Sequence, residues 1–136
     1  MNELFSAAKA LLLFENKNLL LLRSPDDNIR PSEWDLPGGG PKPEETEREV
    51  LIREIKEEAG IDVSSCDTFP VKEWIHEGKN KSRGIDFLCI LKKKPEVVLS
   101  REHIRSQWFT KEEILEGKEF PDWLKETLTK SLKYSK

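Results

Sequence analysis

Residues 39–61, GGPKPEETEREVLIREIKEEAGI, decide the fold, because a glycine turn leads directly into an amphipathic helix. At about 100° per residue, Glu54, Glu57 and Glu58 fall within one arc of that helix. The adjoining arc is apolar and carries Leu51, Ile52, Ile55 and Ala59. The apolar arc predicts packing against a sheet, which would hold the carboxylates at the rim of the core. Gly60 predicts a left-handed cap at the end of the helix.

The acidic arc is the candidate for chemistry. In a chain that is 36% charged, a Glu-rich helix face is commonly a solvated one. Solvated helices usually set Glu against Lys four residues on, whereas Glu54 and Glu58 are like charges at that spacing, which costs roughly 0.2–0.5 kcal/mol. A bound cation would reverse the sign of this energy. Oxygen ligands without His or Cys are typical of Mg²⁺ or Mn²⁺ rather than Zn²⁺.

The glycine turn, residues 36–40, carries little side-chain bulk, so a ligand such as phosphate could approach its backbone closely. A glycine run by itself is usually only a loop. Arg53 by itself would be a surface arginine, but beside the carboxylates we expect it to grip Glu45 through two parallel hydrogen bonds. We interpret Glu45 and Arg53 as supports that hold the turn against the helix.

Composition limits the classes of protein. A length of 136 residues fits one domain, and a net charge of −3 without a long basic run predicts no general nucleic-acid binding. Cys66 and Cys89 form neither a disulfide framework nor a metal motif, which favours a reducing compartment. The apolar run of residues 1–14 is too short to cross a bilayer and lacks the features of a secretory leader. We therefore expect a cytoplasmic protein with no membrane association.

Apolar periodicity predicts alternating strands and helices. The predicted strands are residues 7–14 and 19–23 as a hairpin, 61–63, 68–76 paired with 85–91 around a turn at 77–84, 97–99 and 107–109. The predicted helices are residues 46–59, a short one opened by a capping box at 110–113, and 121–133. Residues 24–33 are predicted to be a polar loop. Together these elements favour an α/β/α sandwich built on a mixed sheet.

The opening stretch resembles the Nudix box, G-x5-E-x7-R-E-U-x-E-E-x-G-U, in which U is aliphatic. Every fixed position matches: Gly39, Glu45, Arg53, Glu54, Ile55, Glu57, Glu58, Gly60 and Ile61. Flanking residues 34–39, WDLPGG, and 102–109, EHIRSQWF, are similar to the family context. The resemblance implies a single Nudix domain over residues 1–136, with the Nudix-type α/β/α sandwich. Glu44 departs from the family, which commonly has glycine there, and Pro41 and Lys42 replace an aliphatic–acidic pair.

The resemblance also implies an activity: hydrolysis of a nucleoside diphosphate linked to a further group, with Mg²⁺ or Mn²⁺ as cofactor. Carried over, the metal ligands and catalytic groups would be Glu54, Glu57, Glu58 and the carbonyl of Gly38 or Gly39. In MutT-like members a later glutamate adds a ligand or base, and Glu102 stands at that place. Arg23 resembles the strand arginine that reaches substrate phosphate, or is a snorkelling edge residue. His103 would be structural or adjacent to the substrate.

Among enzymes, the favoured hypothesis is a MutT-like pyrophosphohydrolase that converts a nucleoside triphosphate to monophosphate and pyrophosphate. The alternatives are a hydrolase of a nucleotide sugar, dinucleoside polyphosphate or RNA cap, and a noncatalytic nucleotide-binding regulatory module. An isopentenyl diphosphate isomerase is disfavoured by the context of its cysteines. The partner is then a small nucleotide, and the chain is a monomer or homodimer. The four tryptophans are expected mostly in the core.

Overall fold

The computed structural model describes residues 4–28, 30–76 and 82–134. Seven strands and three helices follow one another in this part of the chain: β1 Leu4–Phe14, β2 Lys17–Arg23, β3 Trp34–Asp35, β4 Gly38–Gly39, α1 Glu47–Ala59, β5 Asp67–His76, β6 Ser82–Ile90, β7 His103–Thr110, α2 Lys111–Glu116 and α3 Asp122–Ser131. The three helices and five of the seven predicted strands are present, although β1, β6 and β7 begin three to four residues earlier than predicted. The two-residue strands β3 and β4 were not predicted, because such short segments carry no periodicity.

The two strands of the β1–β2 hairpin diverge, and the glycine turn lies between them. The two strands pair from Leu12 opposite Leu19 to Phe14 opposite Lys17 and then diverge. In the gap, β4 pairs with β1 at Ala8 and Lys9, and β3 pairs with the far end of β2. The glycine turn is therefore held by backbone hydrogen bonds on the sheet itself.

The strands form one mixed sheet, as predicted. Strand β6 runs parallel to β1, with Ala8 opposite Ile85 and Leu13 opposite Ile90. Strand β5 pairs antiparallel with β6, and β7 pairs antiparallel with β2. The parallel pair requires the long crossover that contains α1.

Helices cover both faces of this sheet, which confirms the α/β/α sandwich. On one face α1 packs its apolar side on alternate residues of β1: Ala8, Ala10 and Leu12. On the other face α2 and α3 pack on Leu11 and Leu20 through Ile114, Leu124 and Leu128. Odd-numbered positions of β1 such as Lys9 therefore point away from α1.

Capping residues set the ends of the helices. Thr46 and Glu49 form a reciprocal capping box before α1, and Gly60 ends it with φ 71°. Thr110 and Glu113 form the second predicted box, before α2. A left-handed cap is accessible to glycine without steric cost, so Gly60 is the residue that the termination needs.

Two predicted strands were wrong. Residues 61–63 and 97–99 lie outside the sheet, although Ile61 and Val63 are buried. Segment 97–100 instead runs along the end of α1, where the Val98 N–H donates to the Ala59 carbonyl over 2.9 Å. Free carbonyls at a helix end are strong acceptors, so they capture this extended segment.

Of the predicted turn at 77–84, residues 82–84 belong to β6 instead, and positions 77–81 lie outside the described residues. Of the helices in the described ranges, none combines the length and the apolar character needed to cross a bilayer.

Candidate functional site

The glycine turn lies directly on the acidic helix. Gly38 has φ 144°, and a Cβ there would overlap the backbone of Ala8 and Lys9 in β1. Its N–H donates a hydrogen bond of 3.0 Å to Oε1 of Glu58. A Cβ on Gly39 would overlap the carboxylate of Glu54. These glycines thus allow the turn to contact β1 and α1 closely, so the space freed by the missing side chains is filled by the protein itself rather than left for a ligand.

Arg53 joins the turn to the helix. Its Nε and Nη2 each donate to one oxygen of Glu45 over 2.8 Å, which is the bidentate pair that was predicted. Nη2 also donates to the Gly40 carbonyl over 2.9 Å. Hydrogen bonding from Arg53, reinforced by the Lys42 N–H, lowers the pKa of Glu45 to about 2. The turn is therefore fixed by a permanently charged pair.

The same arginine reaches two of the predicted metal ligands. Its Nη1 lies 2.7 Å from Oε1 of Glu54 and 3.3 Å from Oε2 of Glu57. Glu54 is largely shielded, whereas the side chain of Glu57 is 53% exposed. The sequence had not predicted these contacts, although Glu57 four residues after Arg53 is the usual spacing of a helical ion pair.

Glu58 is the buried member of the acidic arc, with 7% of its surface exposed. Burial raises the pKa of Glu58 to about 8 against the hydrogen bond from Gly38, and the negative charges of Glu54 and Glu102 raise it further. The carboxylates of Glu54 and Glu102 therefore both repel the charged form of Glu58. A cation bound beside Glu58 would favour its charged form and relieve this repulsion.

Backbone hydrogen bonds bring Glu102 to this region from a distant part of the chain. The Ser100 N–H donates to the Glu58 carbonyl over 3.0 Å, and the Ser24 N–H donates to the Glu102 carbonyl over 3.1 Å. The side chain of Glu102 is exposed. The loop is therefore anchored at both sides while its carboxylate stays accessible.

The carboxylates do not converge into a formed metal centre: within residues 4–28, 30–76 and 82–134, no three His, Cys, Asp or Glu side chains are grouped as ligands of one ion. Glu54 and Glu57 are turned toward Arg53 instead. The donor chemistry nevertheless fits Mg²⁺ or Mn²⁺, because the available atoms are carboxylate and carbonyl oxygens. A divalent ion would compete with Arg53 for Glu54 and Glu57.

A second charged cluster centres on Asp35, which is 1% exposed. Its Oδ2 accepts from three cations: Lys9 Nζ at 2.8 Å, Arg23 Nη1 at 2.8 Å and Arg30 Nη2 at 2.9 Å. Its Oδ1 accepts from the Leu36 N–H over 2.8 Å. Burial alone would raise the pKa of Asp35, but the cations outweigh it and hold that pKa below its usual value. Asp35 is therefore charged throughout the physiological range.

Asp35, Lys9 and Arg30 were missed from the sequence, and only Arg23 had been named. The available signal was a charged residue set between two large apolar ones in Trp34-Asp35-Leu36, directly before the glycine turn. A buried charge is rarely left unpaired, so that pattern could have prompted a search for cationic partners.

His103 lies beside Arg23 across the β2–β7 pair and is 5% exposed. Both of its ring nitrogens, and Nε of Arg23, are buried without a hydrogen-bond partner in the described part of the protein. Burial lowers the pKa of His103. Its role, structural or adjacent to the substrate, stays a prediction.

A cleft of about 500 Å³ opens on the α3 face of the sheet. Its lining combines cations, indoles and one acid: Lys9, Arg30, Lys72, Trp74, Trp123 and Asp86. The guanidinium of Arg30 lies 5.2 Å from the ring centroid of Trp123, and the Trp123 Nε1–H donates to Glu33 over 3.1 Å. Two tryptophans therefore border this cleft. Of the other two, Trp34 is buried in the core and Trp108 packs against it partly buried, so the expectation of mostly core tryptophans is met only in part.

Known proteins resemble this chain in sequence and in fold. The sequence profile of the NUDIX domain family matches residues 4–130. A curated relative from Proteus vulgaris, an 8-oxo-dGTP diphosphatase, is 32% identical over 59 residues, which are 43% of this chain. The aligned segment spans 53% of that relative.

Solved structures share the whole fold. The MutT protein from Methanosarcina mazei Go1 superposes with a TM-score of 0.81 and 28% identity, covering 100% of this chain and 99% of that one. A Caenorhabditis elegans Ap4A hydrolase, solved as a binary complex, superposes with a TM-score of 0.76 and 24% identity, covering 94% and 95% of the two chains. At that identity the second likeness concerns the fold alone.

Proposed function

Because the chain belongs to the NUDIX domain family, we propose that it is a divalent-metal-dependent hydrolase of nucleoside diphosphate-linked compounds. Its favoured reaction is that of a MutT-like enzyme, which converts a nucleoside triphosphate to monophosphate and pyrophosphate. One observation carries the proposal: Gly38 hydrogen-bonds Glu58 at the acidic helix, while its β-sheet neighbour Lys9 lines the cleft. The proposed phosphate site and nucleoside site, on the two faces of the sheet, would then meet where Lys9 pairs with Gly38.

In this proposal Glu54, Glu57 and Glu58 hold Mg²⁺, or Mn²⁺ in its place, together with the carbonyl of Gly38 or Gly39. Glu102 supplies a further ligand or the base. The bound ion would screen the phosphate charges and polarise the bond that breaks, contributions of several kcal/mol. Glu45 and Arg53 keep the turn at its distance from the helix, and Arg53 restrains two carboxylates until the ion competes for them.

In this proposal the nucleoside binds in the cleft. Its volume of about 500 Å³ suits a small ligand, for which pockets of roughly 300–1,000 Å³ are usual. Trp74 and Trp123 offer aromatic faces for a base, since stacked or edge-on aromatic pairs contribute about 0.5–1.5 kcal/mol. Arg23, beside the cleft, is assigned to substrate phosphate.

The name and 32% identity of the Proteus vulgaris relative support a nucleoside triphosphate as substrate. Retention of every carboxylate of the acidic arc favours an enzyme over a noncatalytic binding module. The chain is proposed to work as a single domain, as a monomer or homodimer, in the cytoplasm, where its two free cysteines would stay reduced. Size-exclusion chromatography and cell fractionation test the last two points.

The deciding experiment is a panel of nucleoside triphosphates, nucleotide sugars and dinucleoside polyphosphates, each with Mg²⁺ and with Mn²⁺, in which both products are identified. Pyrophosphate together with a nucleoside monophosphate is the expected result. Two monophosphate products from a nucleotide sugar would transfer the assignment to the alternative substrates. Binding without turnover across the panel, in either metal, would contradict an enzyme.

A further inference from the structure

The three cations around Asp35 would repel one another without it. Lys9, Arg23 and Arg30 come from β1, β2 and the following loop, and all contact the same oxygen within 2.9 Å. Asp35 is buried, whereas the other acids in contact lie nearer the surface: the side chain of Asp27 is 14% exposed and that of Glu33 is 27% exposed. The carboxylate of Asp35 is therefore the buried centre of the cluster, and those of Asp27 and Glu33 lie closer to solvent.

Donors remain available after Asp35 is satisfied. An ammonium has three N–H groups and a guanidinium five. The side chains of Lys9, Arg23 and Arg30 are 16%, 17% and 29% exposed, so their remaining donors are partly accessible. Arg23 Nε has no partner in the described residues although it is buried. A buried donor is rarely left unpaired, and an anion bound at the cluster would supply an acceptor for it.

The cluster stands between the two halves of the proposed site. Lys9 and Arg30 line the cleft, and Lys9 pairs through its backbone with Gly38, whose N–H binds Glu58. A nucleotide with its base in the cleft and its terminal phosphates at the acidic helix would pass the cations with its innermost phosphate. Charge-assisted hydrogen bonds to phosphate are strong when the donors are already oriented.

We propose that Asp35 is a positioning residue that gathers Lys9, Arg23 and Arg30 into an anion-binding site for the phosphate next to the nucleoside. This inference rests on the proposed function for the identity of the ligand. The competing interpretation makes the cluster a purely structural clamp between β1, β2 and the loop at 24–33. A clamp would affect stability but would show no preference for an anion.

Inorganic pyrophosphate tests the site without a base and without turnover. Calorimetric titration in EDTA should show saturable binding to the wild-type chain. We expect Lys9→Met and Arg30→Met to weaken the affinity at least about tenfold, the equivalent of roughly 1.4 kcal/mol. Lys118→Met removes the same charge at an exposed position after α2 and should leave the affinity unchanged. No wild-type binding at millimolar pyrophosphate, or equal effects of all three variants, would overturn the proposal.

Positioning and long-range electrostatics predict opposite effects of Asp35→Asn on pyrophosphate affinity. The substitution removes one negative charge, so a field effect alone would tighten pyrophosphate binding. Loss of positioning should weaken it instead, and in turnover should raise KM more than it lowers kcat. Tighter or unchanged binding in a folded variant refutes the role. If circular dichroism shows that the variant does not fold, Lys9→Met and Arg30→Met decide.

Pyrophosphate binding and nucleotide turnover test the anion site and the proposed activity separately. Turnover of nucleotides without pyrophosphate binding at these residues would refute the anion site and leave the proposed function standing. Pyrophosphate binding without hydrolysis of any nucleotide would support the anion site and refute the proposed function.

Discussion

The hydroxyl of Thr127 in α3 lies 2.7 Å from Oδ2 of Asp86 in β6, beneath the cleft. The same hydroxyl lies 3.1 Å from the Trp123 carbonyl, and a single proton cannot serve both acceptors. Burial raises the pKa of Asp86, against the hydrogen bond from Thr127 and the charges of Lys72 and Lys9. A protonated Asp86 would donate to Thr127, which could then donate to Trp123. The protonated acid thus satisfies the whole chain of contacts.

This arrangement predicts how stability changes with pH. Because the folded pKa of Asp86 lies above its unfolded value, its contribution is complete below about pH 4 and is lost as the pH rises through the folded pKa. The loss amounts to about 1.4 kcal/mol for each unit of the shift. Asp86→Asn does not titrate and keeps a donor for Thr127, so it should gain stability relative to wild type as the pH rises.

Urea denaturation of both proteins between pH 4 and pH 8 measures the difference. Asp122→Asn, an exposed acid at the start of α3, is the control and should show no such trend. A difference between Asp86→Asn and wild type that stays constant with pH would mean that Asp86 has an ordinary pKa.

Glu57→Gln should retain the fold but lose at least roughly a hundredfold in turnover. The side chain is half exposed and its contact with Arg53 is long, at 3.3 Å, so little stability depends on it. A proposed metal ligand, in contrast, contributes several kcal/mol, at about 1.4 kcal/mol per tenfold in rate. Steady-state rates at saturating Mg²⁺ measure the loss, with Glu116→Gln in α2 as the control. Near-wild-type turnover would remove Glu57 from the site.

Glu102→Gln should cost less activity than Glu57→Gln. Its side chain is exposed on a loop, where water can partly replace a lost ligand, while the backbone anchors of that loop do not depend on the carboxylate. Rates for the two variants and wild type, measured across a Mg²⁺ titration, give both the loss and the apparent metal affinity. If neither quantity changes in Glu102→Gln, its assigned role is withdrawn.

Glu44→Gly should raise the free energy of unfolding by about 1 kcal/mol. Glu44 has φ 68°, in the left-handed region that costs a residue with a side chain roughly 1–3 kcal/mol, and part of the gain is offset by the flexibility of glycine in the unfolded chain. Denaturation midpoints measure the change. Lys42→Gly, at an exposed position of the same loop without a positive φ, should lower stability. A similar decrease in both variants would show that Glu44 is unstrained.

Much of the fold could be predicted from local patterns, because these depend on residues close in sequence. The apolar arc of α1, its capping box at Thr46 and its glycine cap at Gly60 specify a helix before any tertiary contact forms. The predicted Arg53–Glu45 pair likewise joins residues eight positions apart, within the turn and its helix. The acidic arc was therefore identifiable as the candidate site.

Long-range contacts decided the rest. Asp35 lies among three cations because β3 pairs with β2 where β1 and β2 diverge, and Lys9 and Arg23 reach it from 26 and 12 residues away. The cleft forms because α3 covers the sheet. Glu57 and Glu58 are adjacent glutamates, but only Glu58 is buried, because only Glu58 faces the turn at Gly38. Helical periodicity determined which carboxylates share an arc. Only the packing of turn on helix determined their different environments, since burial depends on what the rest of the chain places against each side chain.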